Sequence, residues 1–153
     1  MTENVERKKQ YFMQYGYLKV ELESKQEYIE QLKTFRDNIS VKFNEIVVKI
    51  NGYSDKNNLI DKIIDLENET LQEIKDLMEV LQEIKNAVES VQHPKLRAVL
   101  THRYINLYSK EKTAEKMKES PRNVAYLTVQ ALEMAVIPSD FEYDEDLRSY
   151  GGF

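Results

Sequence analysis

Along the first third of the chain, apolar residues recur at alternating steps of four and three. They are Leu18, Leu22, Ile29, Leu32, Ile39, Phe43, Ile46 and Ile50, with Lys25 and Arg36 interrupting the same register. This heptad-like stripe is narrower than the core face of a globular helix. It predicts a long helix from about Tyr11 to Ile50 that meets its partners along a seam. Gly16 marks an expected weak point, before which the first fifteen residues fray or bend away.

Asn51-Gly52-Tyr53-Ser54-Asp55 predicts a break, since Asn and Gly accept left-handed conformations and Ser54 or Asp55 can cap the next helix. A second amphipathic stretch then reaches about Val91. Its broader stripe is Ile60, Ile63, Ile64, Leu71, Ile74, Leu77, Met78, Leu81, Ile84, Val88 and Val91. Two long amphipathic helices joined by a short loop bury both stripes only when antiparallel. The expected all-α fold therefore begins with a coiled-coil-like helical hairpin over residues 1–92. A lone hairpin has a thin core, so self-association, most simply as a homodimer, is expected with it.

Gln92-His93-Pro94 reads as a boundary, because a residue before proline is pushed out of the helical region. Three shorter helices come after it, over about 95–104, 110–118 and 121–135. Ser109 opens the second, and Ser120-Pro121 opens the third with a capping hydroxyl ahead of proline at the first helical position. Residues 94–137 form the expected small domain. Residues 138–153 are acidic, aromatic and end in Gly-Gly-Phe, which reads as a mobile tail.

Composition narrows the function. High charge with only 4 Gly and 3 Pro suits long solvated helices rather than sheet. Without cysteine, a disulfide framework, a thiolate metal site and a thiol nucleophile are all excluded. The polar start lacks the apolar run of a signal peptide, and no stretch approaches a membrane span. A soluble cytoplasmic protein with no membrane partner is expected. His93 and His102 match no paired-ligand spacing, and Asp61, Asp65 and Glu69 read as a solvated helix face. With no phosphate loop, nucleophile elbow or acid–base pair, neither an enzyme nor a cofactor is expected.

The net charge of -5 conceals an uneven distribution. Basic residues exceed acidic ones by eight to four between Lys95 and Met134, whereas the flanking segments are acidic. A local footprint for phosphate is expected there. The segment SKEKTAEKMKESPRNVAYLTVQAL has the spacing of a helix-turn-helix: Ala114 is the small residue of the first helix, and Val124 and Leu127 face back from the second. The opposite face then presents Arg122, Asn123, Tyr126 and Gln130 for base contacts. Arg103, Lys110, Lys112, Lys116 and Ser120 are the candidate phosphate contacts. A plain three-helix cap on a bundle would use the same inward residues, and spacing alone does not separate the two.

The run LRAVLTHRYINLYSKEKTAEKMKESPRNVAYLTVQAL resembles the sigma-factor region-4-like helix-turn-helix of small phage regulators, the autolysin regulatory proteins and related late-gene activators. The features of that likeness are Arg103-Tyr104, Ala114, Ser120, Ala131-Leu132 and the Ser54-Asp55 before the second long helix. The resemblance implies a transcriptional regulator of phage or mobile-element origin that binds double-stranded DNA. Its recognition helix, about 121–135, would enter the major groove, and RNA polymerase or another host protein is a possible partner. Three residues depart from the pattern: Lys118 where glycine is usual, Thr113 where an apolar residue is usual, and Tyr126 where a basic one is commoner. A Lys118 turn is expected to avoid the left-handed conformation by being longer. The competing reading is a protein-binding module, an inhibitor or adaptor of a host protein, that keeps the fold without the DNA. A further expectation is that Asp140–Asp146 folds back on the basic three-helix segment.

Overall fold

A computed structural model describes the backbone of residues 2–49 and 56–146, and the side chains of 2–39 and 57–146. The described residues contain helices and no strand. The helices are α1 (Glu3–Lys49), α2 (Lys56–Glu89), α3 (Pro94–Leu100), α4 (Lys110–Met117) and α5 (Pro121–Met134), with a π-helical turn at Thr101–Ile105 after α3. The predicted break at 51–55 with its Ser54 or Asp55 cap lies outside the described residues, as do the side chains of Phe43, Ile46 and Ile50.

The chain divides into two compact units, and the division does not fall at the predicted boundary near residue 92. One unit is residues 20–79 and the other is residues 1–19 with 80–153. In the 20–79 unit, α1 and α2 run antiparallel, with Leu32 and Ile39 packed against Ile63, Leu59 and Ile60. Lys25 and Arg36, the two interruptions of the α1 stripe, each meet a carboxylate of α2. Lys25 Nζ lies 2.7 Å from Glu73, and Arg36 Nη1 lies 3.0 Å from Glu67. The charges thus close the seam at two points and penalise any slip of one helix along the other. The broad α2 stripe is covered only in part. Ile63 and Ile74 are buried, whereas Leu71 and Met78 are 51% and 55% exposed. A single partner helix covers a narrow strip, and the outer edge of a wider stripe stays bare.

The second unit joins the start of α1 to the end of α2 and the three short helices. Val5, Tyr11 and Phe12 of α1 share one buried core with Ile84, Val88 and Val91, and with Leu96, Leu100, Tyr104, Ala131 and Leu132. The expected fraying before Gly16 does not occur. Thr2 caps α1 through its hydroxyl, which accepts from Val5 N at 3.3 Å, and Glu3 and Glu6 complement the positive end of the helix dipole. Gly16 is a site of close approach: a Cβ there would stand 3.1 Å from Leu107 Cδ2.

The helix expected over 95–104 changes form midway. His93 caps α3 by accepting from Leu96 N, and Pro94 takes the first turn, where its missing N–H is harmless. After Leu100 the turn widens, with Asn106 N donating to Thr101 O at 2.8 Å. Leu107 then adopts φ 60, and Arg103 Nη1 donates to Tyr108 O at 2.8 Å to hold the loop into α4.

The expected mobile tail is, over 138–146, tied to α1. Arg7 donates to three carbonyls, Pro138 at 2.8 Å, Ser139 at 3.1 Å and Phe141 at 2.9 Å. Gln10 and Asp144 exchange a reciprocal pair, side-chain amide to carbonyl at 2.6 Å and backbone N–H to amide oxygen at 2.9 Å. The Phe141 ring meets Tyr11 edge-on at 5.4 Å. These contacts give Asp144 and its neighbours partners on α1, and Phe141 packs against the core that α1 shares with α3 and α5.

The turn between α4 and α5 also differs from expectation. Lys118 stands in the left-handed region, φ 56 and ψ 46. Glu119 N reaches back to Ala114 O at 2.9 Å, closing the end of α4 over its own last turn. Tight closure at this point requires a positive φ, which a side chain bearing Cβ adopts at a cost of about 1–2 kcal/mol. Lys118→Gly is therefore expected to raise stability by roughly 1 kcal/mol. Urea unfolding followed by circular dichroism measures this, and an unchanged or lower midpoint would contradict the turn geometry.

Candidate nucleic-acid interface

The helix-turn-helix spacing is realised in the packing of α4 on α5. Ala114 is buried in α4, and Val124, Leu127, Ala131 and Leu132 are buried along one face of α5. Thr113 is fully buried beside Ala114, and its hydroxyl has no hydrogen-bond partner among the described residues. The residue thus fills space in the core as an apolar one would, while an unmet hydroxyl costs about 1–3 kcal/mol. Each helix begins on a serine. Ser109 accepts from Lys112 N, and Ser120 accepts from Asn123 N, both at 3.1 Å.

The four expected base-reading residues lie on the face of α5 away from that core. Arg122 is exposed, Tyr126 is 62% exposed, and Asn123 and Gln130 are half-buried. Gln130 Nε2 donates to the Tyr126 hydroxyl at 3.2 Å, one turn apart. Arg122, Asn123 and Tyr126 line a shallow depression with Glu119 and Ser120.

The expected phosphate contacts divide. Lys112 and Lys116 are exposed and Lys110 is half-buried, all three on α4. Lys112 Nζ sits 4.0 Å from the centre of the Tyr108 ring, whose other neighbour is the stacked His102 imidazole at 5.7 Å. Arg103 is engaged with Tyr108 O in the loop before α4. The Ser120 hydroxyl caps α5 and, as an acceptor there, keeps its own proton for a further partner.

Two residues of this surface were absent from the sequence-based set. Lys95, at the start of α3, forms an ion pair with Glu119 in the turn. The other Glu119 oxygen accepts from Asn123 Nδ2 at 2.6 Å. Lys95 first, and Asn123 second, hold the Glu119 carboxyl below its ordinary pKa. The four-residue spacing of Glu119 and Asn123 is a visible hint in the sequence, but nothing local links either to Lys95.

Among the described residues, no group of three His, Asp or Glu side chains is placed to hold a metal ion, and no helix is long and apolar enough to cross a membrane. Comparison of the chain with protein-family models, with curated proteins and with solved structures found no match. The functional reading therefore rests on the geometry and chemistry of the chain itself.

Proposed function

We propose that the protein is a sequence-specific DNA-binding regulator of transcription that inserts α5 into the major groove of duplex DNA. The observation that carries this reading is the α4–turn–α5 unit itself. A helix whose inner face is locked by Val124, Leu127 and Leu132 presents Arg122, Asn123, Tyr126 and Gln130 outward. The lysines of α4 stand ready for the flanking phosphates. Arginine and asparagine near the start of a recognition helix have the donors and acceptors that guanine and adenine edges match.

Fluorescence anisotropy against duplex fragments from the surrounding genome, over a salt series, tests the proposal. Saturable, sequence-dependent binding that weakens with salt is expected, because bound phosphates release counterions. Arg122→Ala is expected to weaken binding to the preferred site by about 1–3 kcal/mol and to relax its sequence preference. Lys116→Ala is expected to weaken all sequences alike and to flatten the salt dependence. No binding at low salt would overturn the reading.

A second reading is favoured by the 20–79 unit, where Phe35, Leu66, Leu71 and Met78 are each 41–55% exposed. Bare apolar side chains on a helical pair suit contact with another protein, either a second copy of this chain or a host protein such as RNA polymerase. In the regulator these contacts supply the dimer or the polymerase link. In a protein-binding module they supply the whole function. Light scattering, together with capture of a defined partner after nuclease treatment, separates the two.

A further inference from the structure

The hydrogen-bond chain that runs from Lys95 through Glu119 to Asn123 determines how Asn123 faces outward. One Glu119 oxygen is taken by Lys95, and the other accepts the Asn123 amide nitrogen at 2.6 Å. A carboxylate can only accept, so it sorts the two ends of the asparagine amide: the NH₂ group must turn toward Glu119 and the carbonyl away from it. One N–H is consumed. With the N–H on the Cβ side given to Glu119, the other N–H and Oδ1 form a donor beside an acceptor on one planar edge. That pair is complementary to N7 and N6–H of adenine in the major groove.

The anchor is not local to α5. Lys95 belongs to α3, so the carboxylate is held from a second helix, and rotation of the Asn123 side chain would break a charge-assisted bond. Backbone contacts pin the same point, since Ser120 Oγ accepts from Asn123 N and Glu119 N is bonded to Ala114 O. Tyr126 and Gln130 share a separate hydrogen bond with each other, whereas the bond to the braced carboxylate is made by Asn123.

We propose that Glu119, braced by Lys95, is a positioning residue that presets the Asn123 amide for adenine and so determines the base preferred at one pair of the target. This rests on the DNA-binding reading above and assigns Glu119 no base contact of its own. A bare carboxylate near the duplex would by itself repel phosphate, and removing it should then strengthen binding to every sequence equally. The positioning role has the opposite signature, a loss confined to one base pair.

The test is selection from a random duplex library at low salt with the full chain, then affinities for the selected site and its single-pair variants. Wild type is expected to prefer adenine at the pair that loses discrimination in Asn123→Ala, by roughly 5- to 150-fold over other bases. Glu119→Ala is expected to lose most of that preference at the same pair while leaving the other pairs unchanged. Glu119→Gln, which keeps an acceptor for Asn123, is expected to restore part of it. In the double variant Glu119→Ala/Asn123→Ala no further loss is expected, and 7-deazaadenine at that pair should weaken wild type but not Glu119→Ala. A uniform gain or loss across all sequences, or a changed preference at a different pair, would overturn the positioning role while leaving DNA binding intact. Failure to enrich any duplex would overturn the DNA-binding reading itself, and the inference with it.

Discussion

Phe12→Ala is expected to lower the stability of the unit formed by residues 1–19 and 80–153 by about 3–5 kcal/mol. Phe12 has no exposed surface, meets Tyr11 edge-on at 5.3 Å and faces Tyr104 at 5.9 Å between ring centres. Truncation there removes a ring between the first turns of α1 and the π-helical turn after α3. The neighbours are held by helical backbone on both sides and can close only part of the hole. Domains of this size are stable by roughly 5–15 kcal/mol in total, so the loss is a large share. The thermal midpoint should fall by about 10–20 °C, at several degrees per kcal/mol. Because the chain has no tryptophan, the measurement is the helical circular dichroism signal. A loss below about 1 kcal/mol would mean that α1 does not belong to this core. The comparison variant Tyr17→Ala, at a position 54% exposed, should change stability by no more than about 0.5 kcal/mol.

The same core makes the protein sensitive to alkali through Tyr104. Burial pushes its hydroxyl up to about 12, with Glu6 adding to the shift and Arg103 opposing it. The folded state therefore holds the phenolic proton more tightly than the unfolded chain does, where the ordinary value of 10.0 applies. Below pH 10 both states are neutral at this position and stability is unaffected. Between pH 10 and pH 12 the unfolded chain releases the proton first, and stability falls by about 1.4 kcal/mol per pH unit, on the order of 3 kcal/mol in all. Tyr11 is shifted in the same direction by burial and by Glu83. The diagnostic quantity is consequently the difference between wild type and Tyr104→Phe in urea unfolding from pH 9 to pH 12. The wild-type curve should fall more steeply; parallel curves would show that Tyr104 is not the group responsible.

The helices were legible in the sequence wherever a periodic stripe or a capping signal is local. Ser109, Ser120-Pro121 and the proline after His93 mark the beginnings of α4, α5 and α3 within a residue of where they fall. The inward residues Ala114, Val124 and Leu127 were readable for the same reason, since helical spacing and side-chain size determine them together. What the spacing did not reveal depends on partners distant along the chain. Val5 and Phe12 look like the frayed start of a coiled coil until Ile84 and Leu100 cover them. The 138–146 segment has the composition of a tail, and one arginine about 130 residues earlier gives three of its carbonyls a donor. Gly16 has two opposite meanings in sequence, a weak point or a close approach, and only Leu107 decides between them. At the candidate interface, the outward face of α5 could be deduced from its inward face. The Glu119 bridge could not, because the lysine that holds it lies on another helix.

The core that closes over α1 has a consequence for how the chain is made. Residues 1–19 are synthesised before the side chains that bury Val5, Tyr11 and Phe12, which begin only near Val80 and continue to the end of α5. At a synthesis rate of about 5–20 residues per second, the wait is on the order of several seconds to half a minute. During it the leading helix emerges from the ribosome with its apolar stripe bare, while residues 20–79 can already pair with themselves. The contacts of greatest sequence separation in this unit are therefore expected to form last. A nascent chain stalled before α5 should bind a hydrophobic-segment chaperone through its first turns and release it once α5 has cleared the exit tunnel.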